Sequence, residues 1–470
     1  MPSVRALLGE WKPDLPPFLS DSLTIARNTY ASANGYKPVS APSQIASPLT
    51  GGFKGGGSFV ATDGTARLIA GDTTDLYTLT GGVWTSLLGS LSVPTFWQFA
   101  QFGNDVIAVN GGGPVSVDLS ANTAAALAGS PPTADLVAIT GDFVVLGRTD
   151  GNVIEVSWSG QGDAEEWGGS GFSGSQPLYT GGKIMGLAGG EAVLILQRFG
   201  MTRMTFNGSQ DNPFQFDTIS TNYGCAAEKS VAQAGDLVFC WSDRGFIQIQ
   251  AGGITPIGSE KVDRTFRETY SLPDMANMWS CVDPERTLVL WVMPGRVWCY
   301  NWALGKWTDW EIPVTAAFAS FSESVTLEEL GALYGTVDDV PGMTDDPLWQ
   351  GGDPRLTIVG YDGAFSVLGG DNLEATFGLP NLEPAQGRTA RVRTARPLTD
   401  AIEGITLTLY YSQRLGNFPT GVIYTELRDN GDMPVRVAGR YIRPEIKHAA
   451  GSAWTYGQGL ELEFEGGGRR

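Results

Sequence analysis

The chain has 470 residues, 50 acidic against 31 basic, for a formal net charge of −19 with a single histidine. That balance argues against a surface built to grip nucleic acid, which needs a basic stripe to release counterions. Only 17% of residues are charged and 63 are glycine, which suits an all-β protein with many tight turns.

Residues 1–50 carry Pro13, Pro16, Pro17, Pro38, Pro42 and Pro48, which forbid a long helix. Leu23, Ile25, Asn28 and Tyr30 indicate one short strand. Trp11, Phe18, Tyr30 and Tyr36 are too apolar for a solvated tail, so an ordered arm laid on another surface is expected. Residues 51–58, GGFKGGGS, lack the order of a phosphate-binding loop and read as a flexible lead-in.

A repeated unit follows. Its clearest copy is residues 134–167, in which Gly141-Asp142 and Asp150-Gly151 separate runs of β-formers and a Trp closes the copy. Such turns are strong hairpin signals, because Gly takes positive φ without steric cost. Residues 68–87, 99–119, 184–206, 229–250 and 280–310 repeat the order, and 332–337 with 356–368 form a degenerate seventh copy. Self-similarity at roughly 30 to 50 residues marks arrays and propellers. Short strands with turn glycines and a recurring aromatic predict a β-propeller of six or seven blades over 51–379. A large β-sandwich is the alternative.

Three loops interrupt it: 160–182, 206–228 and the acidic 338–354. Asp338, Asp339, Asp345 and Asp346 lack calcium-loop spacing and read as a solvated charge run. Helix patterning is limited to 261–270 and 324–335. Residues 380–470 change to alternating strands, as in Ile405, Leu407, Leu409 and Tyr411, which predicts a C-terminal antiparallel sheet or sandwich. The arm of 1–50 is expected to pack on it. Most arginines of 380–470 (Arg388, Arg391, Arg393, Arg396, Arg436, Arg440, Arg443) are expected in cross-strand or subunit ion pairs.

Chemistry is sparse. His448 has no nucleophile partner pattern, and G-x-S-x-G is absent. Asp163, Glu165, Glu166 and Trp167 could imitate a two-carboxylate sugar site, but they lie in a glycine-rich loop. Cys225, Cys240, Cys281 and Cys299 form no C-x-x-C pair; Cys240 and Cys299 fall inside strand patterns as small apolar residues. No catalytic, cofactor-binding or metal residue is assigned, and no enzyme activity is expected. No apolar run is long enough to cross a bilayer and no leader pattern opens the chain, so a reduced, intracellular site of assembly is expected.

The arm contains Gly9-Glu10-Trp11, Pro13-Asp14, Ala26-Arg27-Asn28-Thr29-Tyr30 and Gly35-Tyr36-Lys37-Pro38-Val39. In this order the segments resemble the N-terminus of the tail nozzle, or tail tubular, proteins of short-tailed bacteriophages; Lys12 and Arg27 depart from the family pattern. Thr394 to Leu398, Val435 to Tyr441, Gly459-Leu460 and Gly466 to Arg470 resemble the family's C-terminus. The resemblance implies a homohexameric nozzle of the virion tail, assembled in the host cytoplasm. It would hang below an adaptor ring and the portal, carry fibres or spikes, and pass double-stranded DNA without holding it. An acidic lumen would suit that passage, with 338–354 at its mouth or gate. The alternative is a carbohydrate-binding or glycan-hydrolysing propeller.

Overall fold

The computed structural model describes residues 2–18, 20–209, 212–322, 353–416, 418 and 421–466. The protein is a seven-bladed β-propeller joined to a C-terminal β-sandwich. Each blade has four antiparallel strands; six blades are separate sheets and blade 6 is part of a nine-stranded one. Blade 1 is Gly55–Val60, Ala66–Gly71, Leu76–Thr80 and Val83–Leu88; blade 2 is Gln98–Phe102, Asp105–Val109, Val115–Asp118 and Thr123–Ala126. Blade 3 is Leu136–Thr140, Phe143–Gly147, Glu155–Trp158 and Gly174–Pro177; blade 4 is Ile184–Ala188, Val193–Gln197, Met201–Phe206 and Phe214–Ser220. Blade 5 is Ala232–Ala234, Leu237–Ser242, Gly245–Gln250 and Gly253–Pro256; blade 6 is Trp279–Asp283, Leu288–Met293, Arg296–Asn301 and Lys306–Trp310. Blade 7 is Val314–Phe321, Pro354–Gly360, Phe365–Asn372 and, from the other end of the chain, Ser40–Ala46.

The ring closes on itself. The first strands of blades 1, 2, 3 and 4 touch in sequence, as do those of blades 5, 6 and 7, and blade 7 returns to blade 1. The step from blade 4 to blade 5 runs through the short 3-10 turn Glu228–Ser230. Each wedge between consecutive blades holds its own apolar cluster. The wedge between blades 5 and 6 is part of a larger core shared with the arm and the sandwich. The recurring tryptophans staple these wedges. Trp97 Nε1 donates to Asp72 O of blade 1 at 3.0 Å, and Trp279 Nε1 to Ala317 O of blade 7 at 2.8 Å. Trp291 Nε1 donates to Ser230 O at 3.0 Å. A buried indole must place its N–H, and a neighbouring blade supplies the carbonyl.

Four sequence expectations need correction. GGFKGGGS is not a flexible lead-in: Gly55–Val60 is the innermost strand of blade 1. A Cβ on Gly55 would sit 2.4 Å from Trp97 O, so the crowding near the axis demands glycine. The loops 160–182 and 206–228 contain the outer strands Gly174–Pro177 and Phe214–Ser220. Outer strands are mostly solvated, so they lose the apolar alternation that marks a strand. The arm is shorter than residues 1–50, because Ser40–Ala46 leaves it to pair with Phe365–Asn372. The propeller in turn gives up Ala375–Gly378, which joins the sandwich. Of the helical candidates, 261–270 contains α1 (Asp263–Thr269), followed by α2 (Leu272–Ala276). The second candidate, 324–335, and nearly all of the acidic loop lie outside the described residues.

One sheet of the sandwich runs Thr29–Ser32, Gly35–Pro38, Gly457–Gly466, Ala390–Thr399, Met433–Gly439, with Ser3–Leu7 also paired to Gly457–Gly466. The other runs Ile25–Arg27, Ala375–Gly378, Tyr441–His448, Ile405–Ser412, Gly421–Tyr424. Ile25–Arg27 also pairs with Lys306–Trp310, so this sheet is continuous with blade 6. Propeller and sandwich therefore share both a sheet and a core.

Candidate functional site

The arm residues converge on the weld between blade 6 and the sandwich. Gly9 lies against the backbone of Asp21, where a Cβ would come 1.9 Å from its carbonyl oxygen. The fully buried Tyr36 donates to Gly9 O at 2.7 Å, and Trp11 packs on Trp298 with centroids 5.3 Å apart. Glu10 pairs with Lys12 at 2.9 Å and with Lys261 at 2.6 Å. Asp14 caps α1 from a distance in sequence: the N–H groups of Arg264 and Thr265 donate to its carboxylate at 2.8 Å each. A carboxylate there satisfies orphan N–H groups and the helix dipole together.

The Arg27-Asn28 pair forms the second half of the weld. Arg27 and Arg296 each place Nε 3.3 Å from the buried carboxylate of Asp309. Burial pushes the Asp309 carboxyl up, against the pull of Arg296 and Arg27. Asn28 sits at φ 55°, a left-handed conformation that Asn tolerates. Its Nδ2 donates to Glu374 O at 2.8 Å and its Oδ1 accepts from Glu311 N at 2.7 Å. One side chain thus brackets the propeller's blade 6 and the strand entering the sandwich.

The acidic residues of the 160–182 loop bond within that loop. The Asp163 carboxylate accepts from Glu165 N at 2.9 Å, and Glu166 accepts from Gly168 N at 2.7 Å. Hydrogen bonds from Ser170 and the Gly168 backbone hold the Glu166 carboxyl below its ordinary value, the wrong direction for a general acid. Trp167 Nε1 donates to Ala164 O at 2.8 Å, within its own loop. All four cysteines are buried: Cys225 and Cys240 fill the wedge between blades 4 and 5, Cys281 and Cys299 that between blades 6 and 7. Among the described residues no cluster of three or more His, Cys, Asp or Glu could hold a metal ion. No described helix is long and apolar enough to cross a membrane. Of the C-terminal arginines, Arg393 pairs with Glu465 at 3.1 Å, Arg396 with Asp432 at 2.7 Å and Arg440 with Glu383 at 2.6 Å. Arg443 lies over the Tyr410 ring at 4.8 Å.

His448 is structural. It is buried, stacked on Trp454 at 4.4 Å, and burial pushes its pKa down to about 4. A depressed histidine supports the fold fully above the unfolded value near 6.5, and that support is lost as pH falls toward 4. Asp263 acts oppositely. Its carboxyl, wedged against Gly245 and Gly258, is pushed up to about 6 by burial, so its contribution is gained as pH falls through 6. The two partly cancel in the parent protein, and the difference between parent and His448→Phe isolates the histidine. The variant's stability is expected to gain on the parent's by about 3 kcal/mol between pH 7 and pH 4 in urea titrations. A constant difference across that range would contradict the assignment.

The propeller axis holds a channel of about 610 Å³, lined by Gly56, Phe59, Trp97, Gln98, Phe99, Gln101, Gln233, Trp279, Ser280 and Phe318 among others. Among the described residues no charged one lines it. At one mouth the charges gather. Arg148, nearly fully buried and at φ 58°, places Nε 3.0 Å from Asp135 and Nη1 3.0 Å from Glu228, which also pairs with Lys183. This network ties blades 3, 4 and 5 together. Sequence reasoning missed it because its members are scattered along the chain. Lys183 immediately precedes a first strand, and Asp135 does the same, which is the one signal that could have grouped them.

No family model matches the chain, and no curated protein matches it in sequence. Among solved structures, it is similar to the extracellular domain of a one-component system of B. thetaiotaomicron, with TM-score 0.40 and 11% identity over 87% of this chain and 48% of that one. It thus spans about half the length of that extracellular domain. The N-terminal domain of Nup159 gives TM-score 0.39 and 7% identity over 73% of this chain and 98% of that one. BamB from Moraxella catarrhalis gives 0.35 and 12% over 77% and 97%. Likenesses at this level carry no argument; the propeller is established by the closed ring of seven four-stranded blades itself.

Proposed function

We propose that the chain is a structural subunit of a short phage tail, a nozzle protein that assembles as a homohexameric ring below an adaptor ring. Fibres or spikes attach outside it, and double-stranded DNA leaves through its middle. The observation that carries this reading is the weld. The arm segments that resemble the nozzle family, from Gly9 to Val39, are the ones that lock blade 6 to the sandwich. A part that must resist ejection forces benefits from two domains sharing one sheet.

The propeller's own channel is too small for a duplex, whose major groove alone is about 12 Å wide. DNA would therefore pass through a lumen between subunits. The sandwich offers contacts for such a ring. Leu7, Ile402 and Ile423 are more than 60% exposed there, and Arg391 and Arg436 have no ion pair among the described residues. A closed ring of identical heterologous contacts uses one such surface against another.

With net charge −19, the ring should repel duplex DNA most where salt screens least. A gel shift at low ionic strength is expected to show negligible binding by the assembled protein. A tight shifted band that weakens with salt would mark a basic lumen and remove the electrostatic half of the proposal.

A further inference from the structure

We propose that the mouth of the propeller channel binds a phosphate monoester, with the phosphate held by Lys54 and Lys229 and a flat apolar body lodged in the channel. The seven first strands begin at one end of the axis, and Lys54 and Lys229 both lie just ahead of theirs, in blades 1 and 5. Glu228, the carboxylate that acts on Lys229, is already shared by Arg148 and Lys183, and Arg148 also holds Asp135. Neither Lys54 nor Lys229 has an ion pair among the described residues, in a chain where acidic residues exceed basic ones by 50 to 31. Such a surplus of positive charge runs against the composition of the whole chain.

Lys229 is also held in place. Its ammonium lies 5.2 Å from the centroid of Trp279 and 5.7 Å from that of Phe96. Phe53, beside Lys54, packs on Trp279 at 5.5 Å. Cation–π contact fixes the side chain without neutralising it, so little entropy is lost when an anion arrives. Burial first, and then the charge of Lys54, push the Lys229 ammonium down from its ordinary value, which places the two lysines within electrostatic reach of each other. Glu228 pulls the other way but less strongly, and its carboxylate is already shared by Arg148 and Lys183. Two like charges so weakly compensated are costly to keep together, and a dianion between them removes that cost. A phosphate monoester carries about −1.5 to −2 at pH 7, which matches two ammonium groups.

Trp279, on which Lys229 lies, also lines the 610 Å³ space and so joins the two. Phe59 and Phe99 stand there half-buried with centroids 6.0 Å apart. Gln98 lines the same space, and its side-chain amide has no partner among the described residues. A channel of this size with aromatic walls and a few uncharged polar groups has the make-up of a small-molecule site.

The test is calorimetric titration of the full chain at low ionic strength with inorganic phosphate, adenosine 5′-monophosphate and adenosine. Phosphate is expected to bind, the nucleotide about tenfold more tightly, and adenosine not measurably. Lys54→Gln and Lys229→Gln should each weaken phosphate binding by about tenfold or more. Lys37→Gln, an exposed control on the arm, should not. The two test variants alter different blades, and thermal melts without ligand report whether each is folded. No heat from either phosphate compound, or equal affinity in folded Lys54→Gln and the parent, would overturn the site. A nucleotide that binds no tighter than phosphate would overturn the role of the channel.

Discussion

A chain lacking residues 1–38 is expected to accumulate as insoluble protein, although it keeps every strand of the propeller. The arm buries Leu8, Trp11, Leu23, Ala26 and Tyr36 in the core shared by blade 6 and the sandwich. At about 1.5 to 3 kcal/mol for each large apolar side chain, four of these alone contribute on the order of 10 kcal/mol. The whole stability of a domain is about 5 to 15 kcal/mol. Deletion also uncovers the edge of Gly457–Gly466, which Ser3–Leu7 occupies in five-residue register. It strips Asp14 from α1 and Arg27 from Asp309 as well. An exposed strand edge beside an opened apolar core is an aggregation site. Soluble yield and size-exclusion profile check this; a soluble, monodisperse truncated chain would contradict the weld.

Replacing Arg27 and Arg296 together by Met is expected to cost about 3 kcal/mol or more in chemical denaturation at pH 7. Asp309 is only 2% exposed at its side chain and has these two arginines as its ion-pair partners among the described residues. Removing both leaves a buried charge without compensation, which costs about 3 to 5 kcal/mol. The arginines are partly solvated, which argues for the lower end. Adding Asp309→Leu to the pair should recover part of the loss, because an apolar replacement of the whole cluster has no charge to bury. A loss below 1 kcal/mol in the double variant, or a further loss in the triple one, would show that Asp309 is solvated in the folded chain.

The propeller was legible wherever the repeat carried its own turn chemistry. Gly141-Asp142 joins Leu136–Thr140 to Phe143–Gly147 in the register that the sequence implies. Strands that depend on distant partners were not legible. Gly55–Val60 has too few side chains to show alternation, and its glycines answer to Trp97 rather than to local propensity. Gly174–Pro177 and Ser40–Ala46 are outer strands whose pairing is set by a neighbour, across more than 300 residues in the second case. The single strand expected around Leu23 to Tyr30 is two, because Asn28 turns the chain between the sheets. The motif residues of the arm could be picked out in the sequence, but not why they matter: Gly9, Tyr36 and Asp14 act on partners elsewhere in the fold. The charged mouth of the channel was hidden for the same reason, since Lys54, Arg148, Lys183 and Lys229 meet only when the blades close.

The most direct test of the nozzle proposal is electron microscopy of the assembled full-length protein, with its mass measured in parallel. The account predicts a six-membered ring whose central opening is wider than a DNA duplex and whose lumen-facing residues are mainly acidic. A monomer, or a small oligomer with no axial opening, would contradict it and leave a rigid propeller-sandwich protein with another task.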